Sequence, residues 1–332
     1  MKGISAGVTF QGVDPPDAFI KNVRQVEDWG YDYLWVTDSS MHARDVYVYM
    51  TLAAVNSKRL RLGTNCTHPH TRHPAINVNA IVTINEISGG RAILGIGAGD
   101  SPVHELGFPI AKVAELAAMV EIARRLHTGE RFDYKGPHFE MRAAGLHHGL
   151  QGVAPPKVYI TASGPRMLEL AGEVADGVIV HCGAFKEGLE FALMHVRQGA
   201  EKAGRRIEDI DVAWQLFGVL EDDLDAARNA ARPIAASTTF RSPVYAELAG
   251  VPKALVEQIR AVYSGGEFHE ARAAHALTTN EMVDKLTVAG PPDVWLKRFE
   301  LARSLGVTHV EIFALGDRLK LYGDIATRVL KA

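Results

Sequence analysis

Residues able to do chemistry gather where β-rich runs of this 332-residue chain give way to polar or glycine-rich turns. Asp38, in Thr37-Asp38-Ser39-Ser40, is a carboxylate that could contact a ring nitrogen, handle a proton, or cap the following helix. Gly97-Ala98-Gly99-Asp100 ends a strand without bulky side chains. The third glycine of a dinucleotide fingerprint would fall at Asp100, so that match fails. The small residues either let the strand end pack tightly or let a flat cofactor lie against the backbone. Asp100 is a second candidate for proton transfer, although Asp100-Ser101-Pro102 also reads as a helix start. Ser163-Gly164-Pro165-Arg166 opens a helix after a strand. Its unpaired N–H groups form an anion site to which Arg166 could add a formal charge, so a phosphate-bearing cofactor fits. Plain capping with an exposed arginine is the alternative. His68-Pro69-His70, with His73 close by, could join His181 and Asp317 in holding a metal for hydrolysis. Thr161-Ala162-Ser163 offers no lysine or histidine to bridge two metals, so surface or pocket histidines are the simpler account.

The elements that must position these residues alternate. Eight β-rich runs are legible: 4–10, 31–37, 60–66, 92–97, 158–162, 177–181, 212–217 and 310–314. Most are separated by helix-length segments, such as the one in which Phe19, Val23, Val26 and Trp29 recur before Gly30 stops it. Strands alternating with helices imply parallel pairing through right-handed crossovers, and eight such units imply a closed (β/α)8 TIM barrel. The chain is expected to be one domain over 1–332, with two departures. A small excursion near 128–155, readable as a hairpin about Lys135-Gly136-Pro137, precedes strand five. A mainly helical insertion near 221–290 separates strands seven and eight. Active sites of parallel barrels lie at the C-terminal ends of the strands, and Asp38, the Gly97–Asp100 and Ser163–Arg166 runs, His181 and Asp317 all fall at or just past strand ends.

Composition narrows the function classes. Apolar residues make up 47% and charged residues 23%, with a net charge of −3, which leaves no electrostatic footprint for nucleic acid or an anionic membrane. No run approaches the ~18 apolar residues of a membrane span. Cys66 and Cys182 form no CxxC motif, as expected of a cytoplasmic protein.

Several of these segments have a familiar look. Leu62-Gly63-Thr64, Thr71-Arg72-His73-Pro74-Ala75, the run from Ser88 to Ser101 and the run from Tyr159 to Ile179 resemble the luciferase-like monooxygenase superfamily. The likeness covers most of the chain outside 221–290, and Gly-Ala-Gly-Asp-Ser favours the branch similar to methylenetetrahydromethanopterin reductase. That resemblance implies an oxidoreductase moving a hydride between the deazaflavin coenzyme F420 and a small organic substrate. The alternatives are an FMN-dependent monooxygenase, a metal-dependent barrel hydrolase, and a barrel that binds a ligand without turnover. It also implies that Asp38, Asn65, Cys66 and Thr67 border the tricyclic ring, and that Gly97, Ala98 and Gly99 lie near its edge. Ala162, Ser163, Gly164, Pro165 and Arg166 would receive the phosphate end. Asp38 and Asp100 are the candidate acid or base, with His42 and His181 in reserve. A related sugar-phosphate dehydrogenase carries a histidine where this chain has Ser39, which argues against that substrate. Two structural expectations follow from the resemblance: a cis Asn65–Cys66 peptide and a homodimer. Apolar residues after strands two and three (Tyr47, Tyr49, Met50, Ile76 and Ile81) could supply the dimer contact.

Overall fold

The structure is a computed structural model describing residues 4–99, 101–136, 138–265, 270–314 and 316–331. Its strands are β1 (Ser5–Phe10), β2 (Tyr33–Val36), β3 (Arg61–Thr64), β4 (Ala92–Ile96), β5 (Phe132–Lys135) and β6 (Glu140–Ala144). They continue with β7 (Lys157–Ala162), β8 (Gly177–Val180), β9 (Asp211–Leu220), β10 (Val288–Gly290) and β11 (His309–Ala314). Eight of them pair in parallel in the order β1-β2-β3-β4-β7-β8-β9-β11, and β11 pairs with β1 to close the ring. The expected (β/α)8 barrel is present.

The crossover helices turn apolar stripes inward. In Pro16–Trp29, Phe19, Val23 and Val26 are buried, and Gly30 ends the helix at φ 96°. Helix Pro74–Ser88 starts on a proline, with His73 accepting a hydrogen bond from the Ala75 N–H at 3.2 Å. Burying such stripes removes apolar surface from water at roughly 25 cal/mol per Å2, the main stabilising term of the fold.

The barrel interior is filled near the N-terminal ends of the strands. Tyr33, Trp35, Ile93, Tyr159, Ile179 and Ala213 form one cluster, and His309 stacks on Tyr33 with ring centroids 4.1 Å apart. A methyl group at Gly63 would overlap the Trp35 ring, so this glycine makes room for an indole. Asp211 closes the layer by accepting from the Tyr159 hydroxyl at 2.6 Å and pairing with Lys157 at 2.7 Å.

The excursion before the fifth barrel strand is the antiparallel hairpin β5–β6. Between β9 and β10 the chain forms helices Leu224–Arg241, Pro243–Leu248, Lys253–Val262 and Asn280–Leu286, with a 3-10 turn at Glu270–Leu277. Alanines at 227, 231 and 235 pack with Ile259 and Val283 in a second core cluster, which also takes in Phe217 and Phe313 from the barrel strands. The short β10 was not legible beforehand. It pairs with Gly218–Leu220 of β9, beyond Trp214 where the β8 pairing ends.

Candidate functional site

A cavity of about 930 Å3 lies between the C-terminal ends of the barrel strands and the helical insertion. Nine of the expected residues line it: Asp38, Asn65, Cys66, Gly97, Ala98, Gly99, Ala162, Ser163 and Gly164. The Asn65–Cys66 peptide is cis, as expected. The wall from β4 is smooth for a steric reason, since a Cβ at Gly97 would collide with the Cys66 sulfur. Thr67 stands behind the lining, fully buried, with its N–H on the Gly95 carbonyl at 2.9 Å. Pro165 and Arg166 are outside the lining, and Arg166 is exposed. Asp100 lies outside the described residues.

Asp38 does not cap the helix after β2; Asp45 does, accepting from the Tyr47 and Val48 N–H groups at 2.9 and 3.2 Å. The Asp38 side chain, 3% exposed, accepts from the Thr67 hydroxyl at 2.7 Å and pairs with Arg72 at 2.6 Å. Arg72 also reaches Asp45 at 2.7 Å, and the two carboxylates hold its guanidinium above the ordinary arginine range despite burial. Such a pair orients Asp38 as a fixed acceptor; protonating it would leave Arg72 with one buried partner fewer.

The histidines disperse. His70 hydrogen-bonds the Pro109 carbonyl at 2.7 Å and Glu115 at 2.8 Å, and His138 meets the same Glu115 oxygen at 3.1 Å. This arrangement ties the loop after β3 and the β5–β6 hairpin to helix Val113–His127. Among the described residues, no group of three His, Cys, Asp or Glu side chains is placed to hold a metal. His68 instead lines the cavity, 2% exposed, and burial lowers its pKa. His181 lines it as well, tilted against Phe217 at 4.8 Å, while His42 sits at the surface on Glu105.

Two functional features escaped the sequence reading. Arg241, at the end of an insertion helix, lines the cavity with Ser242, Ser264 and Gly265. It donates to Ser237 at 3.1 Å and to the Gly265 carbonyl at 2.9 Å. The second is the floor, where Asn65 and Gln215 both donate to the buried Glu311, Gln215 at 3.0 Å. Insertion and barrel are joined at the rim by the Tyr245 hydroxyl, which donates to the Ser163 carbonyl at 2.8 Å.

Known proteins are similar in sequence and shape. Residues 3–309 match the luciferase-like monooxygenase family. A 5,10-methylenetetrahydromethanopterin reductase of Archaeoglobus fulgidus is 35% identical, covering 87% of this chain and 86% of the relative. An F420-dependent glucose-6-phosphate dehydrogenase of Nakamurella multipartita is 28% identical over 90% and 88% of the two chains. The solved coenzyme F420 dependent tetrahydromethanopterin reductase of Methanopyrus kandleri superposes with a TM-score of 0.86 at 28% identity, covering 99% of each chain. This chain belongs to the luciferase-like monooxygenase family.

Proposed function

We propose that this chain transfers a hydride between coenzyme F420 and a small organic substrate, with both held in the strand-end cavity. One observation carries the reading: two side-chain-poor runs, Gly97-Ala98-Gly99 and Ala162-Ser163-Gly164, flank a cavity large enough for a flat ring and its tail. The relatives with F420 in their names support the same reading. Bound there, F420 supplies the carbon that accepts or gives up the hydride.

The protein's part is placement. Asn65, Cys66 and the Gly97–Gly99 wall border the ring, with Thr67 acting from behind by holding Asp38. Asp38 is the fixed acceptor at the ring edge. The helix starting after Gly164, which has no side-chain cap, and Arg241 face the phosphate end, with Pro165 and Arg166 at the rim. Asp100 follows Gly99 in the sequence, and its role as proton donor or acceptor rests on that position. Fluorescence titration tests the assignment. Oxidised F420 is expected to bind and FMN to bind weakly or not at all; the reverse order replaces this reading with the FMN-dependent oxygenase.

A second copy of the chain is proposed to dock on the helices after β2 and β3. Tyr49, Met50 and Ile81 are buried in the monomer, but Val48, Val55, Ile76 and Ile87 are 46–61% exposed. No described helix is long and apolar enough to cross a membrane.

A further inference from the structure

Glu311 has an unusual set of contacts. It lies in β11, is fully buried, and is flanked by Val310 and Ile312. Three donors converge on its Oε1: the Thr9 hydroxyl from β1, the Asn65 amide after β3, and the Gln215 amide from β9 at 3.0 Å. Its Oε2 is buried and has no hydrogen-bond partner. No Lys, Arg or His pairs with it among the described residues; the nearby ionisable group that feels its charge is the buried Tyr322 phenol, which donates to the Thr9 carbonyl. Above it, Asp38, Cys66, His68 and His181 line the same cavity as Asn65 and Gln215.

These contacts fix which way the floor faces. Asn65 spends its NH2 group on Glu311 and accepts from Thr161 through its carbonyl oxygen at 3.3 Å. Gln215 likewise turns its NH2 group down to Glu311. An acid that accepts through one oxygen and carries a proton on the other avoids burying a charge, while its three donors share the two lone pairs of Oε1 and its O–H goes without an acceptor among the described residues. Once ionised, it holds the same donors more strongly but places an uncompensated negative charge beneath the cavity.

We infer that Glu311 is a positioning residue for the cofactor floor, orienting the Asn65 and Gln215 amides and acting as a proton-dependent switch on the charge beneath the bound ring. The inference rests on the F420 reading for its ligand but not for its chemistry. Burial pushes the Glu311 pKa up from 4.5 to about 7, against the pull of its three donors. The group is therefore neutral below that value and charged above it. The native state keeps the proton that the unfolded chain has lost between 4.5 and about 7, so stability falls as pH rises through that window.

The test uses the intact protein and Glu311→Gln, which keeps an acceptor oxygen but cannot ionise. In the wild type, affinity for oxidised F420 is expected to fall about three- to tenfold between about pH 6 and about pH 8, and the melting temperature of the cofactor-free protein should fall as pH rises from 5 to 7. E311Q should flatten both dependences and should lack the carboxyl band that pH change produces in the wild-type infrared difference spectrum. Thr9→Val provides a second test, because losing one donor weakens the charged form and should move the transition to higher pH. Equal pH dependences in wild type and E311Q, or an unmoved transition in T9V, overturn the inference. If F420 does not bind at all, the F420 reading fails, while the melting and infrared results still decide the role of Glu311.

Discussion

The two ends of the barrel interior solve opposite problems. At the N-terminal end, aromatic rings fill the space, and His309 sits among them fully buried with neither ring nitrogen hydrogen-bonded. At the C-terminal end, the side-chain-poor runs 97–99 and 162–164 share an open cavity with the rings of Phe217 and Phe313, and Glu311, two residues along the same strand, gathers three donors. Burial drives both groups toward neutrality: it pushes His309 down to about 3 and Glu311 up to about 7. Only the second lies close to neutral pH. Aromatic packing makes one end inert, and the side-chain-poor other end keeps polar groups within reach of a ligand.

Substitutions can break this contrast in order of expected effect. Trp35→Ala opens the filled layer and should cost about 3–5 kcal/mol of stability, read from denaturant melts. A wild-type midpoint would show that the layer does not carry the fold. Arg72→Met leaves the buried Asp38 short of its cation. Because Arg72 is 21% exposed, about 1–3 kcal/mol is expected, less than the roughly 3–5 kcal/mol for breaking a fully buried pair. Gly97→Val should act at the open end: the side chain meets Cys66 and should cost about 1–3 kcal/mol of stability, while F420 affinity drops about a hundredfold, or ~2.7 kcal/mol. Full binding in that variant would remove the glycine wall from the site.

Smaller effects sharpen the comparison. Arg241→Ala is expected to weaken F420 binding about ten- to a hundredfold through loss of a charge-assisted contact, and Arg166→Ala by less, in the same titration. A larger loss in R166A would return the phosphate to the rim. His309→Phe probes the closed end by pH. The native state excludes the proton that the unfolded chain binds below 6.5, so wild-type stability falls as pH drops from 6.5 toward about 3. The phenylalanine variant should lose part of that acid sensitivity. Identical acid melts would mean that His309 does not contribute.

The barrel was legible because its signals are local: alternating strands and helices, glycine stops such as Gly30, and side-chain-poor runs contiguous in sequence. Gly97-Ala98-Gly99 reaches the cavity simply because it ends a strand. What was missed depends on distant elements. Which arginine lines the cavity is decided by the path of the insertion helices, which carry Arg241 in and leave Arg166 outside. Glu311 did leave a trace: a lone acid between Val310 and Ile312 in a barrel strand has no route to solvent. Its partners Thr9, Asn65 and Gln215, however, come from three other parts of the chain.

The short β10 strand bears on how this fold diversifies. The chain leaves the barrel at the end of β9 and, after the helical excursion, returns as a strand paired to that same end of β9. Departure and return are thus about one inter-strand spacing apart, roughly 4.8 Å. A segment with adjoining ends can be exchanged for another of different length without shifting the remaining strands. The cassette that brings Phe240, Arg241 and Ser264 to the cavity could therefore be replaced as a unit, and as long as the new segment supplies a cation in the place of Arg241 the same hydride-transfer scaffold gains a new substrate through a single recombination rather than many point changes.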